Sequence, residues 1–500
     1  MTAAAYITTP IYYVNDKPHI GHAYTTLACD TLARFWRLQG KDVKFLTGTD
    51  EHGQKVEKAA ALAGVSPQDF VDTVSQTFRH LIDKMDVTNN DFIRTTEPRH
   101  IKAAQALWAR LIDSGAIYLG EYAGWYAVRD EAFYAESDLV NGKAPTGAEV
   151  EWLVEPSYFF RLSAYQDQLL AYYKANPNFI APDSRRNEVI RFVEGGLLDL
   201  SVSRTSFKWG VPVPGDDKHI MYVWLDALTN YMTALGYPNE EGGDFKTFWP
   251  EAIHIVGKDI LRFHAVYWPA FLMAAGLPLP RQIFAHGWWT NEGVKISKSL
   301  GNTIDPIELV DTFGIDAVRY FLLREVSFGQ DGDFSRQALV NRLNSDLANA
   351  YGNLVQRVLS FIYKNGNAVV PTPGVFTGED ATFLTLPAQF LAQADIMQVN
   401  RYAEGVWVLI AKANQYVDEH KPWGLKKTDP NRMNTVLYVL ADFIRQIAIL
   451  TQPLVPLASA KILDQLAVPE ADRLFCALNQ KLLSGTKLPE PTGVFPRVQS

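Results

Sequence analysis

Tyr6-Ile7-Thr8-Thr9-Pro10-Ile11-Tyr12-Tyr13-Val14-Asn15-Asp16-Lys17-Pro18-His19-Ile20-Gly21-His22 opens the chain and sets its architecture. The β-branched and aromatic run 6–10 reads as a strand that stops at Pro10, which cannot donate to a ladder. From His22 to Leu38, the apolar residues Ala23, Leu27, Phe35 and Leu38 recur near helical spacing, and Gly40 is a helix stop. Residues 43–47 read as a second strand and 54–63 as a second helix. Strand, helix, strand, helix predicts a parallel α/β sheet, which binds ligands at the carboxyl ends of its strands. His19-Ile20-Gly21-His22 falls where the first strand passes into the first helix. Two imidazoles astride a glycine at a helix N-terminus can donate to phosphate oxygens while the backbone approaches closely. A pair of helix-capping histidines is the plainer reading of the same four residues.

Outward from this stretch, the texture changes between about 114 and 218. Tyr118, Tyr122, Trp125, Tyr126, Phe133 and Tyr134 alternate with Gly, Asp and Glu, which predicts a small α+β insertion. The parallel pattern then resumes with strands expected at 221–224, 252–256 and 283–285. Beyond Leu343, amphipathic helices take over. Leu347, Tyr351, Leu354, Val358 and Phe361 form an apolar stripe at i+3/i+4 spacing. Asn349, Asn353 and Arg357 form a polar stripe at i, i+4, i+8, equally consistent with a solvated face.

The 500 residues are 47% hydrophobic and 20% charged, enough for several packed units and too apolar for wholesale disorder. No run of some 18 consecutive apolar residues occurs, so no membrane span is expected. The N-terminus lacks a basic stretch followed by an apolar core, so no secretory signal is expected. Cys29 and Cys476 are the only thiols, which excludes a disulfide scaffold and a cysteine-built zinc site and suits a reducing, cytoplasmic compartment. The net charge of −8 is uneven. Residues 343–500 hold 14 Lys/Arg against 13 Asp/Glu, so the C-terminal third can meet phosphate without a global penalty.

Neither a P-loop nor a Gly-x-Gly-x-x-Gly turn is present. Instead, Lys295-Ile296-Ser297-Lys298-Ser299-Leu300-Gly301-Asn302 follows a turn at Asn291-Glu292-Gly293. Two lysines three apart with small neighbours suit a loop that clamps a polyphosphate and offsets charge growing in a transition state. Together, 19–22 and 295–299 resemble the HIGH and KMSKS signatures of class I aminoacyl-tRNA synthetases. Residues 8–15, Gly48-Thr49-Asp50-Glu51-His52-Gly53, Tyr222-Val223-Trp224-Leu225-Asp226-Ala227, Gly257-Lys258-Asp259-Ile260 and Phe263-His264 narrow the resemblance to the methionyl-tRNA synthetase family, to about Trp423.

The resemblance implies a Rossmann-like parallel-sheet catalytic domain with a small α+β insertion, followed by an all-α anticodon-binding helix bundle. The expected boundaries are 1–113 and 219–290 for the catalytic halves, 114–218 for the insertion, 291–342 for the KMSKS loop and stem-contact region, and 343–500 for the bundle. It implies activation of L-methionine with ATP and Mg2+, then transfer to tRNA(Met). His19, His22, Lys295 and Lys298 would be catalytic. His19, Gly21, His22, Arg204, Gly257, Asp259 and Lys298 would bind ATP. Ile11, Tyr13, Asp50, Trp224, Ala227, Tyr231, Ile260 and His264 would bind methionine, with Asp50 on the ammonium and the aromatic lining against a polarizable sulfur. Asn353, Arg357 and Trp423 would read the anticodon, amide and guanidinium on base edges and Trp423 by stacking.

Two departures from the family stand out. Trp125-Tyr126-Ala127-Val128-Arg129-Asp130 occupies the start of the family's zinc knuckle without cysteines, so no structural zinc is expected. Leu228 stands where some relatives have proline. The family layout, ending without a C-terminal tRNA-binding module, suggests a monomer. Synthetases for leucine, isoleucine or valine normally need a longer chain, and the cysteine enzyme needs cysteine-bound zinc. A catalytically idle tRNA-binding protein is the rival of another class, and pyrophosphate exchange separates it.

Overall fold

Strand and helix alternate as the opening sequence predicts. In the computed structural model, which describes residues 3–14, 17–130, 132–134, 136–296 and 302–498, they build a parallel sheet. Its order is Tyr12–Tyr13, Asp42–Asp50, Ala4–Thr8, Ala252–Gly257, Gln282–His286, Ile180–Ala181, with Asp91–Arg94 also paired to Asp42–Asp50. Ile7 lies opposite Phe45 on one side and Ile253 on the other, all three buried, as in a sheet covered on both faces. The helix Ile20–Leu38 carries the chain from Ala4–Thr8 to its neighbour Asp42–Asp50, while the other neighbour, Ala252–Gly257, arrives from far along the sequence. The carboxyl end of Ala4–Thr8 is therefore a topological switch point, where a crevice opens.

The strand expected at 221–224 is a correction. The strand Asp216–Met221 ends at Met221, and the helix Val223–Thr233 begins two residues on. That strand pairs antiparallel with Ser203–Arg204 and Pro212–Val213, in a sheet separate from the parallel one. Leu225, Leu228 and Met232 are buried at helical spacing, and this tertiary packing overrides the local β preference of Tyr-Val-Trp. Within 114–218, the strands Ile117–Ala127, Ala132–Tyr134, Glu151–Phe160 and Leu200–Ser201 make a four-stranded antiparallel sheet. The same span also contains Ile180–Ala181, which returns to the parallel sheet beside Gln282–His286. Two residues are too few for a periodicity to reveal.

The C-terminal part is helical apart from one isolated bridge, Val369 with Lys487. Of the apolar stripe, Leu347, Tyr351, Leu354 and Val358 are buried and Phe361 is half-buried. Residues Leu343–Gly352 form a π-helix that leads into Asn353–Asn365, a local geometry that the spacing does not show. The helix Pro430–Thr451 is long and apolar enough on average to cross a membrane, although polar and charged residues interrupt its apolar runs. It is the central helix of the bundle, with 94% of its most apolar window buried. The helical part is keyed to the catalytic part by Arg319, which pairs with Asp30 at 2.7 Å and donates to the Pro453 carbonyl at 3.0 Å.

Candidate active site

A cavity of about 780 Å3 opens at the switch point, within the size range of small-molecule sites. Ile11 and Tyr13 reach it from the segment after the first strand, Asp50 from the end of Asp42–Asp50, and Gly257 and Asp259 from the end of Ala252–Gly257. His19, Gly21 and His22 come from the start of Ile20–Leu38, and Trp224, Ala227 and Tyr231 from Val223–Thr233. Ile260 and His264 complete the set. Every methionine residue expected from the sequence thus lines one cavity with five of the ATP residues.

The histidine pair is both a cap and a donor set. The His19 Nδ1 accepts from the Gly21 backbone N–H at 3.1 Å, and the His22 Nδ1 accepts from the His19 N–H at 3.0 Å. Two accepting Nδ1 atoms require the ring protons on Nε2, so each neutral imidazole keeps an Nε2–H donor. Burial lowers the pKa of His19, and burial with the neighbouring His19 ring lowers His22 well below the ordinary histidine value. The pair therefore presents neutral N–H donors at the cavity. A Cβ on Gly21 would stand 2.9 Å from His19 Cε1, so only glycine leaves room for the folded-back ring.

On the other wall, the His264 Nδ1–H donates to the Ile260 carbonyl at 3.0 Å, and the Tyr231 hydroxyl donates to His264 Nε2 at 2.7 Å. Burial takes the His264 pKa down to about 4, which keeps the ring neutral. Trp224 stacks on Phe263 with ring centroids 3.7 Å apart and planes 7° from parallel. Phe263 and His264 sit on a π-helical turn, Phe263–Tyr267, a geometry frequent at functional sites.

Sequence reasoning missed what braces this wall. Asp226 is fully buried and bonded at 2.7 Å to both His52 Nδ1 and His100 Nε2. Burial alone would raise its pKa, but the two imidazoles draw it down to about 2. The bridge ties the helix carrying Trp224 and Tyr231 to the segment just after Asp50. The signal was present as polar residues inside the quoted blocks 48–53 and 222–227. Leu228, Asn230, His286, Trp288 and Trp289 also line the cavity, and the sequence reading assigned none of them to the site.

Arg204 departs from the expected ATP set. It is buried, donates to Ser201 Oγ at 2.8 Å and to its neighbour Ser203's carbonyl at 2.7 Å, and stacks on Tyr222. It is not among the cavity's lining residues, because the short antiparallel strand Ser203–Arg204 directs its position. Lys295 ends the strand Val294–Lys295, and Lys298 lies outside the described residues. Among the described residues, no group of three or more His, Cys, Asp or Glu is arranged to hold a metal.

Far from the cavity in sequence, Asn353 is exposed, and the Arg357 guanidinium lies 4.9 Å from the Trp423 ring centroid. Trp423 is 41% exposed, so the structure brings an aromatic face and a guanidinium together at the bundle surface. Arg357 also approaches Asp418 at 3.4 Å.

The sheet and its site are those of a class I aminoacyl-tRNA synthetase, and residues 5–151 and 136–359 match the family described as tRNA synthetases class I (M). Residues 379–500 match the anticodon binding domain of methionyl tRNA ligase. The methionine–tRNA ligase of Rickettsia conorii is 58% identical, with 100% of each chain covered. That of Mesorhizobium japonicum is 53% identical over 98% of this chain and 97% of its own. The structure of Mycobacterium tuberculosis methionyl-tRNA synthetase in complex with methionyl-adenylate superposes with a TM-score of 0.97 at 50% identity, covering 99% of this chain and 100% of that one. The chain belongs to the methionyl-tRNA synthetase family, the ligases that join methionine to tRNA.

Proposed function

We propose that this chain performs both steps of methionine–tRNA ligation at the cavity, with its residues divided between two ends. The observation that supports this reading is that the residues expected for methionine and five of those expected for ATP line one cavity. Asp50 pairs with the methionine ammonium, and Ile11, Tyr13, Trp224, Ala227, Tyr231, Ile260 and His264 enclose the thioether. The methionine carboxylate attacks the α-phosphate of ATP, which enters with its Mg2+. Methionyl-adenylate forms and pyrophosphate leaves. The neutral His19 and His22 donate N–H to phosphate oxygens, and Lys295 and Lys298 offset the negative charge that grows there. Asp259 and the glycine backbone at Gly257 receive the ribose. A ribose hydroxyl at the 3′ end of tRNA(Met) then attacks the activated carbonyl and AMP departs. No covalent enzyme intermediate is needed, so catalysis is positioning and charge stabilisation. The working form in this reading is a cytoplasmic monomer.

Amino-acid-dependent ATP–pyrophosphate exchange tests it. Methionine is expected to drive exchange above every other amino acid at matched concentration, and a better substrate among the other nineteen would overturn the pocket assignment.

The helical part reads the anticodon through Asn353, Arg357 and Trp423. Trp423→Ala is expected to lower tRNA charging about five- to 150-fold, the value of one base stacked on an aromatic ring. Exchange should stay near wild type, since no ATP or methionine residue is involved. Equal loss in both activities with a sharply lower melting temperature would instead make Trp423 a packing residue.

A further inference from the structure

Two consecutive residues at the cavity mouth grip the same indole. Trp288 is 45% exposed and lines the cavity. Its Nε1–H donates to Asp259 Oδ1 at 3.0 Å, while the Lys258 ammonium lies 4.3 Å from its ring centroid. Lys258 is itself held by both carboxylate oxygens of Asp331 at 2.7 Å, and Asp331 Oδ1 accepts from the Trp288 backbone N–H at 2.9 Å. The chain of contacts runs from the indole edge through Asp259, back through Lys258, and closes on the Trp288 backbone.

Two glycines make this closure possible. A Cβ on Gly287 would stand 2.4 Å from the backbone of Gln330 and Asp331, so glycine lets the Trp288 segment lie against the segment that carries Asp331. A Cβ on Gly257 would stand 2.5 Å from Asp259 Oδ1, the oxygen that the indole holds. Gly257 is the last residue of its strand, in register with His286, and Gly287 lies just beyond the neighbouring strand, so both close approaches fall at the carboxyl edge of the sheet.

We propose that Trp288 is a positioning residue for ATP: its indole N–H fixes one oxygen of Asp259 so that the carboxylate is already oriented to accept from a ribose hydroxyl. The proposal rests on the assignment of Asp259 to the ribose. A carboxylate at an open cavity mouth otherwise rotates freely, and ordering it beforehand lowers the cost of binding. Lys258 and Asp331 keep the indole in place, one across its face and the other on its backbone.

The test compares ATP, 2′-deoxy-ATP and 3′-deoxy-ATP in methionine-dependent pyrophosphate exchange. Trp288→Phe keeps an aromatic face for Lys258 and removes only the N–H donor. With ATP, its kcat/KM is expected to fall roughly tenfold, through KM, as for a lost hydrogen bond to a charged group. With the deoxynucleotide that lacks the hydroxyl held by Asp259, wild type and variant should differ by less than about twofold, because the interaction being positioned is gone. The KM for methionine should not change. Asp259→Ala, run in parallel, must show the same nucleotide selectivity; an equal loss on all three nucleotides would refute the ribose assignment itself. If Asp259→Ala is selective but Trp288→Phe loses equally on all three nucleotides, the indole is merely a wall and the proposal fails. An unchanged Trp288→Phe overturns it as well. Lys258→Met, which leaves both Trp288 and Asp259 in place, should show the same selectivity at smaller amplitude.

Discussion

Lys298→Ala is expected to slow methionine-dependent pyrophosphate exchange about 100- to 1,000-fold, equivalent to about 2.7–4 kcal/mol for one well-placed donor to developing charge. Methionine binding should be nearly untouched, because the ammonium of Lys298 meets charge that exists on the phosphates only in the transition state. The signature is therefore a fall in kcat with little change in the KM for methionine. The neutral His19 and His22 sharpen this expectation. Burial holds both histidines below their ordinary pKa, so they bring N–H donors rather than full positive charges. In the proposed mechanism, the two lysines of 295–298 then supply positive charge to the leaving pyrophosphate that the neutral histidines do not. Exchange at the wild-type rate would remove Lys298 from the mechanism.

Arg319→Met is expected to cost about 3–5 kcal/mol of stability, the usual result of stranding one partner of a buried ion pair. Arg319 and Asp30 have fully buried side chains. Burial by itself pushes the Asp30 carboxyl up, yet the guanidinium groups of Arg319 and Arg34 hold it below its ordinary value. With Arg319 removed, Arg34 at 2.7 Å and the Thr88 N–H and hydroxyl still hold Asp30, which places the expected cost at the lower end of the range. Arg319 also links the pair to the helical part, since it donates to the Pro453 carbonyl just beyond the central bundle helix. Denaturant unfolding followed by circular dichroism measures the loss. The double variant Arg319→Met with Asp30→Asn should be less destabilised than the sum of the single ones, because it strands no charge. A single-variant cost below about 1 kcal/mol would show that this ion pair does not hold the two parts together.

The histidine end of the cavity was legible because its geometry is local. A strand, a proline stop and His-x-Gly-His within 17 residues dictate a cap, and the cap orients both rings. The methionine wall was legible only as a resemblance. Trp224 and Tyr231 are seven residues apart, a spacing that suits any buried helix face, and the strand expected at their start is in fact a strand end followed by a helix. Arg204 marks a limit of motif matching, since the match assigned it to ATP while the folded chain buries it against Tyr222, outside the lining of the cavity.

By itself the sequence determined the parallel α/β opening, the cysteine-poor insertion, the helical C-terminal third and the histidine pair at a helix N-terminus. Each depends on periodicity, capping or composition over a few consecutive residues, and neighbours in sequence carry that information. Only the tertiary structure decided which distant residues meet. Asp226 lies 174 residues from His52 and 126 from His100, yet one carboxylate bridges both imidazoles. Trp288 lies 29 residues from Asp259 and 43 from Asp331. Arg357 and Trp423 come together only because the helices Asn353–Asn365 and Pro422–Thr428 both pack against Pro430–Thr451. Such contacts are set by the packing of elements against one another, where burial makes each unpaired charge costly, and no local pattern in the chain records the partner chosen.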